Sequence, residues 1–493
     1  MARFLPEQIR AWTGGELILS AANAKNTEHF YRGICTDSRK LRKGEIFLAL
    51  KGEYFDGHDY AEKAAAKGAG LLVLSADSAI AAELEKRFAK AEAAPDLLKV
   101  KDTLKAYQDI ARGYRQTLLA SLIAITGSVG KTTTRRMVNT VISSQMNTHE
   151  TRENENNNIG VPLTILQADD EDDVIIAELG MDRRGEIAVL SEICCPDIAI
   201  VTSIGYSHAE YLGSRENILR EKMDILRGMR KTGLILLNGE DDYLNRWMEE
   251  HTPEISIWRV NTEKPADWQE GRPCFWAENI QLTPKSTSFQ LHFSLDTALD
   301  LPVTIPQPGK FLVRSALFAL ASAYALGLDI EKAAAAASNF INTRQRQHIE
   351  EREGWLLIDD SYNASSPESV MTALDTLQLL AHDGGRRIAC LGGIRELGRY
   401  SRELHLEIGR KLAQLNIDAL YLTGEETGFI EEGLKEVGSG IPVFQLESAD
   451  AIADALRGKI QLNDVVLIKG SRYYRMENVG QGLAGEKAKE TIS

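Results

Sequence analysis

The segment 124–134, AITGSVGKTTT, concentrates residue types that bind phosphate groups. Gly127 and Gly130 allow the backbone to approach a ligand closely, and the first N–H groups of a following helix would point at its oxygens. Lys131 offers a positive charge to the outer phosphates, and the hydroxyl of Thr132 is suited to binding Mg²⁺. The segment therefore predicts a nucleotide-binding loop.

The loop is shorter than the common G-x-x-x-x-G-K-[ST] pattern, because Ile125 stands where that pattern has its first glycine. An ordinary strand, turn and helix with a surface lysine is the alternative interpretation. The apolar run before the loop and the G-K-T-T-T sequence at its end favour nucleotide binding. The predicted contacts within the loop are Gly127, Ser128, Val129, Gly130, Lys131, Thr132 and Thr133.

Three further residues are expected beside this loop, one of them a candidate metal ligand. Glu178 closes the apolar run Val174–Glu178, where a carboxylate is a sensible Mg²⁺ ligand. His208 follows the next apolar run, and Lys222 lies on a predicted helix after it. Because the carboxyl ends of parallel strands line one crevice, we expect these side chains on the same edge of a sheet. Taken singly, each would more often be an ordinary strand-end, loop or helix-surface residue.

Short apolar runs that alternate with helix-length segments are expected to position these residues. Candidate buried strands are 122–126, 174–178, 198–202 and 234–237, and a second series follows at 355–359, 388–391, 419–422 and 465–468. This rhythm predicts parallel sheets with helices on both faces. Segment 288–295 alternates apolar and polar residues and predicts an antiparallel strand added to the first sheet. The expected fold class is α/β.

The chain of 493 residues is too long for one compact core, so about three domains are expected. A helix start at Asp102, whose carboxylate suits an N-cap, marks the first boundary, and the end of an alanine-rich helix marks the second. The expected domains are 1–102, 103–342 and 343–493. The second would be a mostly parallel ATPase sheet of the P-loop type, and the third a Rossmann-like α/β domain.

Composition argues against several classes of protein. A formal net charge of -14 disfavours general nucleic-acid binding. Five cysteines without C-x-x-C spacing indicate neither a disulfide framework nor a zinc site. The first residues lack the apolar core of a signal peptide, and no uninterrupted apolar run reaches the length of a membrane span. A cytoplasmic protein is the simplest expectation.

Motifs along the whole chain carry a family resemblance. The first motif begins at Thr36 and reads TDSRKLRKGEIFLALKGEYFDGHDYAEKAAAKGA. Three more motifs begin at Asn154 (NENNNIGVPLTIL), Thr202 (TSIGYSHAEYLGS) and Leu356 (LLIDDSYNASSPES). LGGIRELGRYSRELHLEIG and VLIKGSRYYRME follow in the same order. With these motifs the chain resembles, nearly end to end, the Mur ligases of peptidoglycan synthesis. Within that family it is most similar to the branch that adds D-alanyl-D-alanine.

The resemblance implies that the central domain binds ATP and Mg²⁺. Thr132 and Glu178 would hold one Mg²⁺, and Glu178, His208 and Lys222 would hold a second. The lysine at this position is carbamylated in the family, which gives it a carboxylate-like end. With Lys131, these residues would form the catalytic centre.

Further nucleotide contacts implied by the resemblance are Asn156, Arg344 and Asp360. Arg344 matches the arginine at the junction of the second and third domains, which would reach the ATP phosphates and act in catalysis when the domains close. Closure would also exclude water from the reacting groups.

The first domain resembles the segment that holds the UDP-sugar end of UDP-N-acetylmuramoyl-tripeptide. The implied substrate contacts are Asp37, Ser38, Arg39, His58 and Asp59, with Asn363 from the third domain. Arginine and serine are suitable partners for a diphosphate. A turn-rich surface loop is the alternative interpretation of this segment.

The implied reaction is ATP-dependent amide-bond formation. Transfer of the γ-phosphoryl group would convert the carboxylate of the muramoyl tripeptide into an acyl phosphate, which the amine of D-alanyl-D-alanine then attacks. Lys131 and Mg²⁺ would neutralise charge during the transfer. A monomer is expected.

Some residues depart from the family pattern. Phe311, Leu312 and Ser315 stand where the family has a histidine and two asparagines, the second of which contacts adenine. Thr343 replaces a glycine at the domain junction, and Gly393 replaces an aspartate. These changes affect the adenine contacts and the identity of the dipeptide, whereas the phosphate and metal positions keep the pattern.

Three other functions stay open at this point. A related ligase could add a different amino acid or dipeptide. A folylpolyglutamate-type synthetase shares the central fold but should lack a first domain like residues 36–69. A nucleotide-binding regulatory protein without turnover is the third alternative.

Overall fold

The computed structural model describes residues 2–26, 28–89, 91, 94–268, 273–381 and 384–485. Its strands form a five-stranded and a two-stranded sheet, then a nine-stranded sheet, then a six-stranded sheet along the chain. Helices alternate with the strands throughout. The α/β class predicted from the sequence is confirmed.

The amino-terminal region builds a small mixed sheet. Its strands are β1 (Arg3–Phe4), β2 (Glu16–Ile18), β3 (Tyr31–Arg32), β4 (Ile34–Cys35), β5 (Ile46–Leu48), β6 (Leu71–Ser75) and β7 (Asp96–Val100). Its helices are α1 (Pro6–Thr13), α2 (Ala61–Ala66), α3 (Ala79–Phe88) and α4 (Thr103–Arg115). The order β2-β7-β6-β5-β4 is parallel except for β2, and β1 pairs with β3. The carboxylate of Asp102 accepts a hydrogen bond from the N–H of Lys105, so the predicted N-cap is confirmed.

The central region forms the nine-stranded sheet. Its strands are β8 (Ser121–Thr126), β9 (Thr148–Glu150), β10 (Val174–Glu178), β11 (Ile198–Val201), β12 (Leu234–Asn238), β13 (Ser256–Asn261), β14 (Cys274–Leu282), β15 (Thr287–Phe293) and β16 (Asp296–Ile305). Its helices are α5 (Lys131–Ile142), α6 (Gly160–Gln167), α7 (Glu186–Cys194), α8 (Ala209–Leu212), α9 (Arg215–Met223), α10 (Asp242–Glu250), α11 (Phe311–Ala325) and α12 (Ile330–Ala336).

Strand order in the central sheet is β16-β15-β14-β13-β12-β11-β8-β10-β9. All neighbours are parallel except the pairs that β15 makes with β14 and β16, which confirms the predicted antiparallel addition. Alternate residues of β8 enter different cores: Leu122 packs on one face of the sheet and Ile123 on the other. This alternation explains why the strand reads as an uninterrupted apolar run.

The carboxyl-terminal region forms the six-stranded sheet. Its strands are β17 (His348–Arg352), β18 (Trp355–Asp360), β19 (Arg387–Gly392), β20 (Ala419–Thr423), β21 (Val443–Leu446) and β22 (Val465–Lys469). Its helices are α13 (Pro367–Leu380), α14 (Ser401–Leu412), α15 (Gly428–Glu436), α16 (Ala449–Leu456) and α17 (Glu477–Gly482). The order is β17-β18-β22-β19-β20-β21, parallel except for β17. No helix in the described ranges is both long and apolar enough to cross a membrane.

Candidate functional site

A cleft of about 1000 Å³ opens between the central and the carboxyl-terminal sheets. The carboxyl ends of β8, β10, β11 and β12 form one wall, and the ends of β18 and β22 with the start of α13 form the other. Open α/β sheets commonly bind ligands at such strand ends. The sequence-predicted residues that line the cleft are Ser128, Val129, Gly130, Lys131, Thr132, Thr133, Asn156, Glu178, His208, Asp360 and Asn363.

The loop between β8 and α5 has the backbone of a phosphate-binding turn. Gly127 and Gly130 have φ angles of 149° and 87°, which favour glycine. A Cβ on Gly127 would lie 1.8 Å from Oγ1 of Thr202, so no larger residue fits there. Helix α5 begins at Lys131, and its first N–H groups have no partner within the helix and are available to an anion.

The side chain of Lys131 folds back over this loop. Its Nζ donates a hydrogen bond of 2.7 Å to the carbonyl oxygen of Gly127. Burial lowers the pKa of Lys131, and the carboxylate of Glu178 opposes the shift. A phosphate bound in the turn would add a further negative charge and favour the ammonium form.

Glu178 is the centre of a buried hydrogen-bond cluster. Its Oε1 accepts from Oγ1 of Thr132 at 3.2 Å and from Nδ2 of Asn156 at 3.0 Å. Its Oε2 accepts from Nε of Arg135 at 3.3 Å, and Arg135 is itself paired with Glu150. The carboxylate is thereby held against the Thr132 hydroxyl. Arg135 was not predicted from the sequence, although it lies on the turn of α5 that follows Thr132.

The oxygen atoms of Thr132 and Glu178 suit Mg²⁺. This ion prefers oxygen ligands and is usually held by one or two protein groups together with substrate phosphates. Within the described part of the chain, no group of three or more His, Cys, Asp or Glu side chains is arranged to hold a metal ion. The residues therefore fit Mg²⁺ as the partner of a bound nucleotide.

His208 stands just after β11 and has a φ of 62°, which is uncommon for a residue with a side chain. Its Nδ1 lies 2.7 Å from Oε2 of Glu396, which belongs to the carboxyl-terminal region. The same nitrogen lies 3.5 Å from Oδ1 of Asp182, and it makes no hydrogen bond of regular geometry. One carboxylate from the central region and one from the carboxyl-terminal region thus lie close to this nitrogen.

Lys222 lies in α9 and is 2% exposed. Burial and the nearby Lys131 lower the pKa of its ammonium well below the usual value. Its neighbour Glu221 accepts hydrogen bonds from the N–H groups of Gly185 and Ile187. Burial thus favours the neutral amine, which is the nucleophilic form that carbamylation by CO₂ requires.

The carboxyl-terminal wall of the cleft is built on Asp360 and Lys469. Oδ2 of Asp360 and Nζ of Lys469 are 2.7 Å apart, and Oδ1 accepts from the N–H of Gln347 at 3.2 Å. Lys469 also donates to the carbonyl oxygen of Asn363 at 3.2 Å, and the Asn363 side chain accepts from the N–H of Arg472. Burial raises the pKa of Asp360, although Lys469 opposes the shift.

Two arginines, Arg344 and Arg346, lie at the junction of the two sheets. Arg344 is exposed and does not line the cleft, whereas Arg346 does. The guanidinium carbon of Arg346 lies 4.1 Å from the centroid of the Tyr362 ring, within range of a cation–π contact. Both neighbours of Arg346 have positive φ angles. The sequence R-Q-R does not show which of the two arginines faces the cleft. The backbone conformation of the segment decides it.

The predicted substrate residues of the amino-terminal region lie outside the cleft. Nε of Arg39 donates a hydrogen bond of 2.9 Å to Asp37, and this contact lowers the pKa of Asp37 to about 2. The Arg39 side chain is 82% exposed and free to contact a ligand. Ser38 is buried and Asp59 is exposed.

His58 has both ring nitrogens engaged within the protein. Nδ1 lies 2.6 Å from Oδ1 of Asp56, and Nε2 accepts a hydrogen bond of 2.9 Å from the N–H of Ser75. This arrangement fixes the loop after β5 to the end of β6. It leaves no ring nitrogen for a substrate, in contrast to the sequence-based expectation.

The far end of the cleft is lined by residues at the start of α11. Phe311, Arg314 and Ser315 face the cleft, whereas Leu312 is fully buried in the core. An ion pair of 3.0 Å joins Arg314 to Glu240, which follows β12. Sequence analysis missed this pair, because its members are far apart in the chain.

Comparison with known families and proteins gives matches along nearly the whole chain. Three family models match: "Mur ligase family, catalytic domain" at residues 30–115, "Mur ligase middle domain" at 125–323, and "Mur ligase, glutamate ligase domain" at 345–472. The UDP-N-acetylmuramoyl-tripeptide–D-alanyl-D-alanine ligase of Bacillus subtilis is 31% identical, over 94% of this chain and 95% of that protein. The enzyme of that name from Escherichia coli is 33% identical, over 91% and 93%.

Solved structures show the same similarity. MurF from Acinetobacter baumannii superposes with a TM-score of 0.83 and 28% identity, over 98% of this chain and 99% of that one. MurF ligase from Thermotoga maritima in complex with ADP has a TM-score of 0.76 and 24% identity, over 92% and 96%. At that lower identity the second match supports the fold alone.

Proposed function

The chain belongs to the Mur ligase family, and we propose that it uses ATP to join D-alanyl-D-alanine to UDP-N-acetylmuramoyl-tripeptide in peptidoglycan precursor synthesis. One observation carries the proposal: Lys131 and Glu178 face Arg346 and Asp360 across a single cleft. Nucleotide phosphates on the first wall can therefore meet peptide groups held by the second. The names of the curated relatives support this choice of substrates.

The reaction needs two steps, because a free carboxylate is a poor electrophile. In the first step a carboxylate oxygen of the tripeptide attacks the γ-phosphorus of ATP, the bond to the β–γ bridging oxygen breaks, and ADP leaves. In the second step the amine of the dipeptide attacks the carbonyl carbon of the acyl phosphate. Inorganic phosphate leaves, and the amine gives up a proton as the amide bond forms.

The central wall would hold and neutralise the phosphates. The N–H groups of the loop that includes Gly127 and Gly130 bind phosphate oxygens, and Lys131 counters the charge that builds up during transfer. Thr132 and Glu178 would hold Mg²⁺, which when bound would draw charge from the β- and γ-phosphate oxygens.

His208 and Lys222 would support a second cation. Burial favours the neutral amine of Lys222 and so favours its carbamylation, which would place a carboxylate-like group near the ammonium of Lys131. His208 offers a ring nitrogen at the mouth of the same region. We assign both residues to cation binding rather than to proton transfer.

We divide the chain into three domains, residues 1–102, 103–342 and 343–493. The separate sheets support this division. The third domain would close on the second, bring Arg346 to the ATP phosphates and shield the acyl phosphate from water. Asn363 and Asp360 would help to position the dipeptide and the nucleotide on its wall.

The first domain would hold the UDP end of the muramoyl peptide. Asp37, Ser38, Arg39 and Asp59 remain the proposed contacts, with Arg39 as the partner for the diphosphate. We place the reaction in the cytoplasm, where ATP and UDP-linked sugars occur, and assign the active protein as a monomer.

Measurement of phosphate release tests the proposal. We expect release from the purified protein with ATP and Mg²⁺ only when UDP-N-acetylmuramoyl-tripeptide and D-alanyl-D-alanine are both present. Tripeptides that end in lysine or diaminopimelate, and alternative acceptors such as D-alanine or D-glutamate, define the substrates. Preference for another acceptor would assign the chain to a different step, and ATP binding without release would assign it to nucleotide binding without turnover.

A further inference from the structure

Glu396 connects the carboxyl-terminal sheet to the segment that follows β11. It lies in the loop after β19, and it contacts that segment with both backbone and side chain. Its carbonyl oxygen accepts a hydrogen bond of 2.9 Å from the N–H of Glu210, and its Oε2 lies 2.7 Å from Nδ1 of His208. The contact therefore has two points and places the Glu396 carboxylate beside the His208 ring.

The same loop makes a second contact a few residues further on. A nitrogen of the Arg399 guanidinium and the hydroxyl of Tyr400 both donate to the carbonyl oxygen of Gly213, at 3.1 and 3.2 Å. The Tyr400 ring also packs on the ring of Tyr206, with 5.2 Å between centroids. The loop is thus docked on the central domain on both sides of His208.

The backbone at the Glu396 contact is unusual on both sides. Glu396 has a φ of 64° and His208 a φ of 62°, although neither is a glycine. Such angles cost energy and persist where the surrounding structure imposes them, often at functional sites. Here the two positive φ angles bring the side chains of Glu396 and His208, which follow strands of different sheets, next to each other.

We propose that Glu396 is a positioning residue that couples closure of the carboxyl-terminal domain to cation binding, by orienting the imidazole of His208. The inference rests on the proposed function, because it takes His208 to be a cation ligand. Glu396 itself would touch neither nucleotide nor peptide.

The chemistry of metal-binding histidines supports this role. A histidine that binds a cation through one ring nitrogen usually gives its other N–H to a carboxylate, which fixes the tautomer and the ring plane. Glu396 lies next to Nδ1, so it would keep the proton there and leave the lone pair of Nε2 for the cation. Asp182, in the central region, is 3.5 Å from Nδ1 and 78% exposed, so it is the weaker support.

The arrangement makes cation affinity depend on domain position. Because Glu396 and His208 belong to different sheets, the support exists only while the sheets are close together. A cation would then bind more tightly in the closed state, and by linkage the cation would favour closure. The second cation would therefore be bound tightly for phosphoryl transfer only after the carboxyl-terminal domain has closed on the central domain.

Mn²⁺ binding tests the proposal directly. Electron paramagnetic resonance can count bound Mn²⁺ on the full chain with a non-hydrolysable ATP analogue and UDP-N-acetylmuramoyl-tripeptide. We expect Glu396→Gln to raise the Kd for the weaker Mn²⁺ about 10-fold or more, since loss of such a supporting carboxylate usually costs 10–100-fold. Glu396→Asp keeps the charge and should recover part of the affinity.

Small-angle scattering on the same samples gives a second readout. The contraction that ligands and Mn²⁺ induce in the wild type should be smaller in Glu396→Gln. Glu425→Gln, which removes an exposed carboxylate from the same region, is the matched control and should change neither measurement. Unchanged Mn²⁺ affinity in Glu396→Gln would overturn the proposal.

A double variant separates positioning from general damage to the fold. In a His208→Gln background, Glu396→Gln should add no further loss of Mn²⁺ affinity, because both changes remove one interaction. A full additional loss would mean that Glu396 acts through another route and would also overturn the proposal. If the wild type itself bound no Mn²⁺ in the presence of nucleotide, the metal-dependent function proposed above would fail, not the positioning step alone.

Discussion

Asp360 and Lys469 stand directly opposite each other at the ends of β18 and β22, and their side chains form a buried ion pair of 2.7 Å. The pair is anchored further, because Lys469 binds the carbonyl oxygen of Asn363 and Asp360 binds the N–H of Gln347. The segments around Gln347 and Asn363 are thereby both held by the Asp360–Lys469 ion pair. The carboxyl-terminal wall of the cleft is therefore ordered without a ligand.

Breaking this pair should destabilise the carboxyl-terminal domain. Asp360→Asn leaves the ammonium of Lys469 buried without its counter-charge, and such changes cost about 3–5 kcal/mol. We expect urea unfolding to show this loss. The double variant Asp360→Asn with Lys469→Met should recover most of the stability without recovering phosphate release. Recovery of turnover in the double variant would show that the pair has only a structural role.

Two arginines of one short segment should differ sharply in their effect on turnover. Arg346→Ala removes a charge that faces the phosphate loop, and we expect kcat to fall about 100-fold, as for loss of a group that stabilises transition-state charge. Arg344→Ala changes an exposed side chain outside the cleft and should leave kcat within about 2-fold, in line with most surface substitutions. Steady-state phosphate release measures kcat for both variants. A larger loss of kcat in Arg344→Ala than in Arg346→Ala would assign the phosphate contact to Arg344.

Lys131→Ala should abolish turnover while the fold is retained. The Lys131 ammonium lies over the loop and would neutralise charge on the bound phosphates, so we expect kcat to fall by about 1000-fold. Lys231→Ala removes an exposed lysine of the same domain and serves as the control. Circular dichroism should show equal folding of both variants. Near-normal activity of Lys131→Ala would contradict the assignment of the phosphate site.

The inner strands of the two larger sheets were predictable because they are buried on both faces. Val174–Glu178 has the bounds expected from its apolar run, and the other predicted strands of these sheets differ by one or two residues at their ends. The amino-terminal sheet offered much less signal. Strands such as Tyr31–Arg32 are too short to show an alternation of apolar and polar residues. This strand forms because it pairs with Arg3–Phe4, which is remote in the chain.

The candidate site divides in a similar way. The phosphate loop and Glu178 could be predicted, because local sequence determines a turn, a helix start and a strand end. Arg346 and Glu396 could not, because their roles depend on how one sheet lies against another. His58 shows the opposite error: it fits a binding motif, but its nitrogens are taken up by the backbone and a carboxylate nearby.

Replacement of Lys222 should stabilise the protein and inactivate it. Burial lowers the pKa of this lysine well below its usual value. Between this lowered pKa and about pH 10.4 the unfolded chain binds a proton that the folded chain does not, so stability rises with pH in that window. Lys222→Met lacks this penalty and should be more stable than the wild type at pH 7.

Urea unfolding at several pH values checks this in buffers freed of CO₂. The stability difference between Lys222→Met and the wild type should shrink from pH 7 to pH 10, whereas Lys231→Met should show no such trend. Phosphate release should be lost in Lys222→Met at every pH, because a methionine cannot be carbamylated. Addition of bicarbonate should stimulate the wild type alone. If Lys222→Met were less stable than the wild type at pH 7, other groups in the folded protein would have to stabilise the buried Lys222 side chain, and the prediction would be wrong.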